Sequence, residues 1–265
     1  MIAFNGLSSQ IIQLPNVPVA RGKNSITAAC WFKRTVALDA IISFWRHNRV
    51  LTPLQYDTNV TSLRPAFWNE DNTLVNVSPT SATFSTGTNQ WTFCVTQYNR
   101  TGIRAWTYVP STAVVQGGTT GTWSNGITRN PIAINPMCIG GAENLGERAP
   151  SGTFLAELMI LGTAIPVSAI PQLAHEPHRF AKDLLFYAPL RSAAARTVEA
   201  GGESYAFSYG TDSRALISES GHPPVEKWRP RAQVLVGDTF ASRLRAADTL
   251  RVTTSTSTPL IMGMR

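Results

Sequence analysis

Lysine is nearly missing from this chain, with four residues (Lys23, Lys33, Lys182 and Lys227) against 19 arginines, and charged residues of all kinds make up only 15%. With 43% hydrophobic residues beside that low charge, an intrinsically disordered chain is excluded. The net charge of +7 would suggest a polyanionic partner if the basic residues were gathered in one place. They are spread instead: residues 1–174 hold 11 Lys/Arg and 7 Asp/Glu, residues 175–265 hold 12 and 9, and no long run of one sign occurs. Nucleic acid is therefore not an expected partner. Arginine in place of lysine suits a protein embedded in an assembly, because guanidinium stacks and forks onto carboxylates. GC-rich coding gives the same bias, and composition does not separate the two.

Cysteine is also scarce. Cys30, Cys94 and Cys138 lie in apolar runs, with no CxxC and no histidine at ligand spacing. An odd count without a framework predicts buried free thiols and synthesis in a reducing compartment such as a cytoplasm. The first residues, Met-Ile-Ala-Phe-Asn-Gly, have no basic segment followed by a long apolar one, and no apolar stretch is of spanning length. Neither a signal peptide nor a membrane contact is expected. The four histidines, His47, His175, His178 and His222, do not group as metal ligands, and His175 and His178 are expected at the surface. Two oxygen-rich stretches, Asp57-Thr-Asn59 and Asn69-Glu-Asp-Asn72, are the only places a calcium ion would find ligands, and the second reads more simply as a hairpin turn. No nucleophile elbow, phosphate-binding loop or dinucleotide fingerprint is present. No catalytic residue, metal or cofactor is expected.

What the chain does have is alternation. In Ser25–Phe32, Ile26, Ala28, Cys30 and Phe32 fall on one face and Thr27, Ala29 and Trp31 on the other, both faces apolar or small, which predicts an inner strand. Further strands are expected at 40–45, 62–68, 73–77, 90–98, 102–108, 137–140, 152–161 and 184–188, separated by Pro, Gly, Asn and Thr clusters. The one helix candidate, 166–173, is read as a single turn interrupted by Pro171. Short alternating strands without crossover helices predict an all-β, antiparallel two-sheet sandwich.

Phe4-Asn-Gly6, Ile26–Lys33, Gln90–Tyr98, Cys138-Ile-Gly-Gly141 and Gly152–Leu161 followed by Ala164–Ser168 occur in the order of the landmarks of laminin-G-like, concanavalin A-like jelly-roll domains, which residues 1–174 resemble. The resemblance implies a jelly roll of two curved antiparallel sheets and no particular activity, since the fold carries lectins, glycosidases and structural modules alike. It places Glu157 where such domains commonly hold an acidic residue that makes structural hydrogen bonds. A glucanase of this fold needs a second carboxylate on the same strand, and positions 155 and 159 are Leu and Met.

The expected organisation is a jelly roll over residues 1–190 and a C-terminal extension with an extended assembly arm over 191–265. Residues 191–224 have connector composition, and the Thr/Ser-rich segment 249–259 ends in apolar Leu260, Ile261 and Met262. The 29 residues from Gly237 onward would reach about 95 Å at ~3.3 Å each, far enough to engage a neighbour. Trp228, Arg229 and Arg231 are of the types that dominate interface energetics, and with the apolar tip they are the expected assembly contacts. Trp45, His47, Trp68 and Trp123 are the expected glycan contacts, because loop aromatics present flat apolar rings to sugars. The resulting expectation is a structural, non-enzymatic component of a virus particle, most simply a bacteriophage. It would be made in the host cytoplasm and displayed on the virion as a capsid decoration or cement protein, or beside a tail fibre. Its partners would be copies of itself, other virion proteins and a host surface glycan. The alternative is a lectin-like, carbohydrate-binding adhesin module.

Overall fold

The computed structural model describes residues 1–6, 11–14, 25–36, 42–47, 51–57, 62–63, 66–68, 74–76, 88–99, 102–111, 114–120, 137–142, 147–191, 197–199, 204–205, 208–209, 217–218 and 220–226. It is all-β, with antiparallel strands numbered in chain order and arranged as a sandwich. The first sheet has nine strands: β1 (Ile2–Phe4), β3 (Ser25–Arg34), β9 (Thr92–Asn99), β10 (Gly102–Val109), β11 (Val114–Thr120), β15 (Thr153–Leu161), β16 (Leu184–Ala188), β17 (Thr197–Glu199) and β18 (Ser204–Tyr205). Their order is β11-β10-β9-β3-β15-β16-β17-β18, with β1 against β15. The second sheet contains β2 (Ile12–Leu14), β4 (Ile42–His47), β5 (Leu51–Asp57), β6 (Ser62–Leu63), β7 (Ala66–Trp68), β8 (Leu74–Asn76), β12 (Met137–Ile139) and β19 (Ser208–Tyr209), in the order β19-β2-β12-β4-β5-β7-β8 with β6 on β5. A small ribbon pairs β13 (Gly141–Ala142) with β14 (Glu147–Arg148).

The inner-strand expectation for 25–32 holds. β3 runs between β9 and β15, with Cys30 opposite Cys94 and Trp31 opposite Phe93. Ile26, Ala28, Cys30 and Phe32 are buried on one face, and Ala29 and Trp31 on the other. All three cysteines are buried free thiols, and burial holds those of Cys30 and Cys94 well above the ordinary range. β7 and β8 pair antiparallel with Trp68 opposite Leu74, and the expected turn residues 69–72 lie outside the described residues.

The face of the first sheet that carries Trp31, Phe93, Val95, Trp106 and Tyr108 is covered by α1 (Ile170–His175), which contributes Ile170, Leu173 and Ala174 to the same apolar cluster. The indole N–H of Trp31 donates to the carbonyl of Ala174 at 3.0 Å, so the large ring is buried with its polar atom satisfied. Here the sequence reading needs correction. Pro171 does not interrupt this helix but opens it, because the missing N–H and fixed φ of proline are harmless in a first turn.

The sheets do not stop at residue 190. β17 and β18 extend the first sheet beyond β16, β19 joins β2 in the second, and Ile217 bridges to Ile2. Composition hides these strands because each is only two or three residues long.

Gly140, which follows β12, adopts φ +91°, and a β-carbon there would run into the buried ring of Phe4. Gly140→Ala is expected to destabilise the fold by about 1–3 kcal/mol through the combined backbone and steric penalties. A urea unfolding midpoint equal to wild type would refute that account.

Candidate functional site

β15 contains a bulge. Ala156 lies opposite Trp31 and Met159 opposite Ala29, so β15 spends one more residue than β3 over the same length. The extra residue lets Ala156, Met159 and Leu161 all join the cluster over Trp31, since plain alternation would have sent the later two to the opposite face. Glu157 sits at this irregularity with φ +52°, a conformation unusual for a non-glycine residue. The same point divides the edge of β15, which pairs with β1 before it and with β16 after it.

Glu157 is the only charged side chain among the described residues that is fully buried, at 0% exposure. Its carboxylate accepts a hydrogen bond from the Tyr187 hydroxyl, and Oε1 lies 2.6 Å from Nη2 of Arg191 and 3.2 Å from Nε2 of His222. The His222 ring faces the carbonyls of Pro189 and Pro223, each at 3.2 Å. Burial pushes the Glu157 carboxyl up to about 7, opposed first by the charge of Arg191 and then by its hydrogen bonds and the ammonium of Met1. Burial pushes the His222 imidazole down to about 4, with the positive charges of Met1 and Arg191 acting in the same direction.

This centre fastens a C-terminal strap, residues 217–218 and 220–226, over the covered face of the first sheet. Met1 and Ser218 exchange backbone hydrogen bonds, the Trp91 indole donates to Gly221, and Arg191 donates to the carbonyl of Val225. Val225 joins the cluster around Trp31, and the amide of Glu226 donates to the carbonyl of His175. His175, expected at the surface, is half-buried. Its ring lies 5.8 Å from that of Trp31, Nδ1 is 2.7 Å from the Pro224 carbonyl and Nε2 is 3.0 Å from the Tyr108 hydroxyl. A carbonyl only accepts, so Nδ1 carries the proton and Nε2 accepts from Tyr108. His178 is partly exposed, 3.9 Å from Glu226.

Glu157 thus has the structural role that the resemblance implied. Among the described residues no second carboxylate shares its site, and a group sealed at 0% exposure cannot reach a glycosidic oxygen. His222, Tyr187 and Arg191 were not foreseen as its partners. They lie 30 to 65 residues from it in the chain, and no local pattern links them.

The expected glycan residues are partly brought together. Trp45 and His47 are on β4 and Trp68 on β7, both in the second sheet and separated by β5, so the strands lie ~10 Å apart. His47 pairs with Leu51, which pairs in turn with Phe67, so His47 is level with Phe67. Trp123 lies outside the described residues, as do Trp228, Arg229, Arg231, Leu260, Ile261 and Met262. Asp57 ends β5 and pairs with Ser62, while Asn59 and residues 69–72 are also outside. Among the described residues no group of three metal-ligating side chains occurs, and no helix is long and apolar enough to cross a membrane.

No protein-family model matches the sequence, and no curated protein matches it. Solved structures do. A Bacteroides ovatus protein with an inferred carbohydrate-binding role is 16% identical with a TM-score of 0.53, over 78% of this chain and 58% of that one. The enzymatically active domain of tailspike protein 2 from bacteriophage CBA120 is 13% identical with a TM-score of 0.45, over 65% of this chain and 29% of the other. A heptameric pentraxin from Limulus polyphemus is 13% identical with a TM-score of 0.41, over 65% and 80%. The present chain thus spans less than two thirds of the Bacteroides structure, and at such identity the likeness is one of fold. The two-sheet order, the inner β3 and the match to the Bacteroides protein make this chain a β-sandwich with a jelly-roll-like fold.

Proposed function

We propose that this protein is a carbohydrate-binding module without catalytic activity of its own. The observation that carries the reading is the placement of Trp45 and His47 on β4 and of Trp68 on β7, two strands apart in the second sheet with His47 level with Phe67, while the only buried acid among the described residues is sealed away from any substrate. Aromatic residues on neighbouring strands of one sheet suit contact with sugar rings, and such surfaces work without a general acid. The Bacteroides ovatus structure, whose role is inferred as carbohydrate binding, supports the assignment at the level of fold. A glycan array probed with the purified chain tests it. A hit is expected to weaken at least tenfold in Trp45→Ala or Trp68→Ala, measured by calorimetry, with urea unfolding unchanged. Absence of any hit, or equal binding by both variants, would refute the reading.

A second reading, display on a virus particle, rests on a different observation. The strap pins the chain at Glu226, which gives residues 227–265 a fixed root from which to engage neighbouring subunits. Loss of particle binding or of self-association by a chain ending at Lys227, seen by light scattering, is its expected signature.

A further inference from the structure

Strand register makes a pair of two thiols that the chain keeps far apart. β3 and β9 run antiparallel with Cys30 directly opposite Cys94, so both side chains leave the first sheet on one face, the face that does not carry the Trp31 cluster. Directly opposed residues of an antiparallel pair hold their α-carbons ~4.5–5.5 Å apart, inside the ~4.4–6.8 Å that a disulfide spans. Their β-carbons lie ~4.5–5.5 Å apart against ~3.5–4.5 Å in the bond, so closing it asks an approach of about 1 Å.

The two sulfurs also act on each other. The charge of a Cys30 thiolate adds to burial in holding the Cys94 thiol up, and that thiol donates to the Thr92 carbonyl at 3.7 Å. Cys30 is 1% exposed and Cys94 4%, so the closed core admits no bulky oxidant and holds little thiolate. Exchange is confined to molecules in which the strand pair has opened locally, and reclosure then returns the sulfurs to one another. The third thiol, Cys138, is on β12 of the second sheet. In an unfolded chain it is the nearer partner, since 44 positions separate Cys94 from Cys138 and 64 separate Cys30 from Cys94. Only the folded register selects Cys30 with Cys94.

We propose that Cys30 and Cys94 are a redox pair, oxidised by a small-molecule disulfide such as glutathione disulfide to a cross-strand bond between β3 and β9. One cysteine, as thiolate, attacks the glutathione disulfide, releasing one glutathione and leaving a mixed disulfide. The other then attacks the protein sulfur of that mixed bond and releases the second glutathione. Two protein thiols lose two electrons and two protons, and one glutathione disulfide becomes two glutathione thiols. The wide β-carbon spacing strains the bond, so excess reduced glutathione reverses it. Closure ties residues 31–93 into a loop that contains β4 to β8, and so holds the strands of Trp45, His47 and Trp68 covalently to the first sheet. The proposal stands whichever ligand the module binds.

The test holds the reduced full chain in mixtures of oxidised and reduced glutathione, once in urea at half the unfolding midpoint and once fully unfolded, followed by alkylation and peptide mapping without reduction. At half the midpoint the peptide joining Cys30 to Cys94 is expected to exceed every other cysteine link by at least about tenfold, with Cys138 alkylated in the same molecules. In the unfolded chain that preference is expected to vanish, because the link between Cys94 and Cys138 closes the shorter loop. Cys138→Ala should keep the link and Cys94→Ala should abolish it. The same mixture of links in both conditions would overturn the proposal, as would the absence of a Cys30–Cys94 link at every glutathione ratio. Glutathione adducts that persist on Cys30 or Cys94 would also overturn it, because the second step would then not occur.

Discussion

Replacing Arg191 by alanine should destabilise the fold by about 1–2 kcal/mol at pH 5 and by roughly 1.4 kcal/mol more at pH 8. The reason is the charge that the substitution strands. Arg191 lies 2.6 Å from a carboxylate at 0% exposure, and removing one member of a buried pair leaves the other uncompensated. At pH 8, one unit above the Glu157 pKa of about 7, the carboxyl is ionised in the wild type, whereas without Arg191 its pKa rises and it must take up a proton to stay buried, which costs about 1.4 kcal/mol per unit of pH. Two units below it, the group is protonated and neutral, so what is lost is mainly hydrogen bonding to the Val225 carbonyl and packing. Glu157→Gln should rescue much of the pH 8 loss in the double variant, since the buried charge is then gone. Urea unfolding of the four proteins of this cycle at both pH values measures the coupling. A loss independent of pH, with no rescue, would show that Arg191 acts by packing alone.

The centre around Glu157 also marks the boundary between what was legible in the sequence and what was not. Alternation located β3, because a strand buried on both faces needs small or apolar residues at every position, and 25–32 supplies them. It located β15 as well, but not the bulge, since a one-residue insertion leaves no mark where every residue on either side of Glu157, from Leu155 to Leu161, is apolar. Without the bulge neither the turned-in Glu157 nor its company of Tyr187, Arg191 and His222 follows, for these meet only when β16 pairs with β15 and the strap returns. The strap itself read as connector. Its hold on the sandwich comes from backbone groups and from His175, whose three neighbours, Trp31, Tyr108 and Pro224, are distant in sequence. Of the candidate glycan residues, aromatic type was legible but common location was not. Trp45 and Trp68 come into one sheet only through the pairing of β4 and β7 with β5.

Wild-type stability should change little between pH 4.5 and 6.5 through this centre, whereas each of two single variants should show a slope, and the slopes should have opposite signs. In the unfolded chain over that range Glu157 is ionised and His222 is protonated. In the folded chain, with the carboxyl at about 7 and the imidazole at about 4, the proton resides on Glu157 and the ring is neutral. Folding thus moves a proton from imidazole to carboxyl with almost no net uptake, and linkage then gives almost no pH dependence. In His222→Gln only the raised carboxyl remains. Its stabilising contribution is complete below 4.5 and is lost as pH rises through 7, an expected fall of ~3 kcal/mol. In Glu157→Gln only the depressed imidazole remains. Its contribution is complete above 6.5 and is lost as pH falls through 4, by about 2 kcal/mol once solvent screening of the less deeply buried ring is allowed for. Urea midpoints at half-unit intervals, taken as variant minus wild type so that the other carboxylates cancel, measure both slopes. Slopes of the same sign, or none in either variant, would mean that the proton does not move between these two groups on folding.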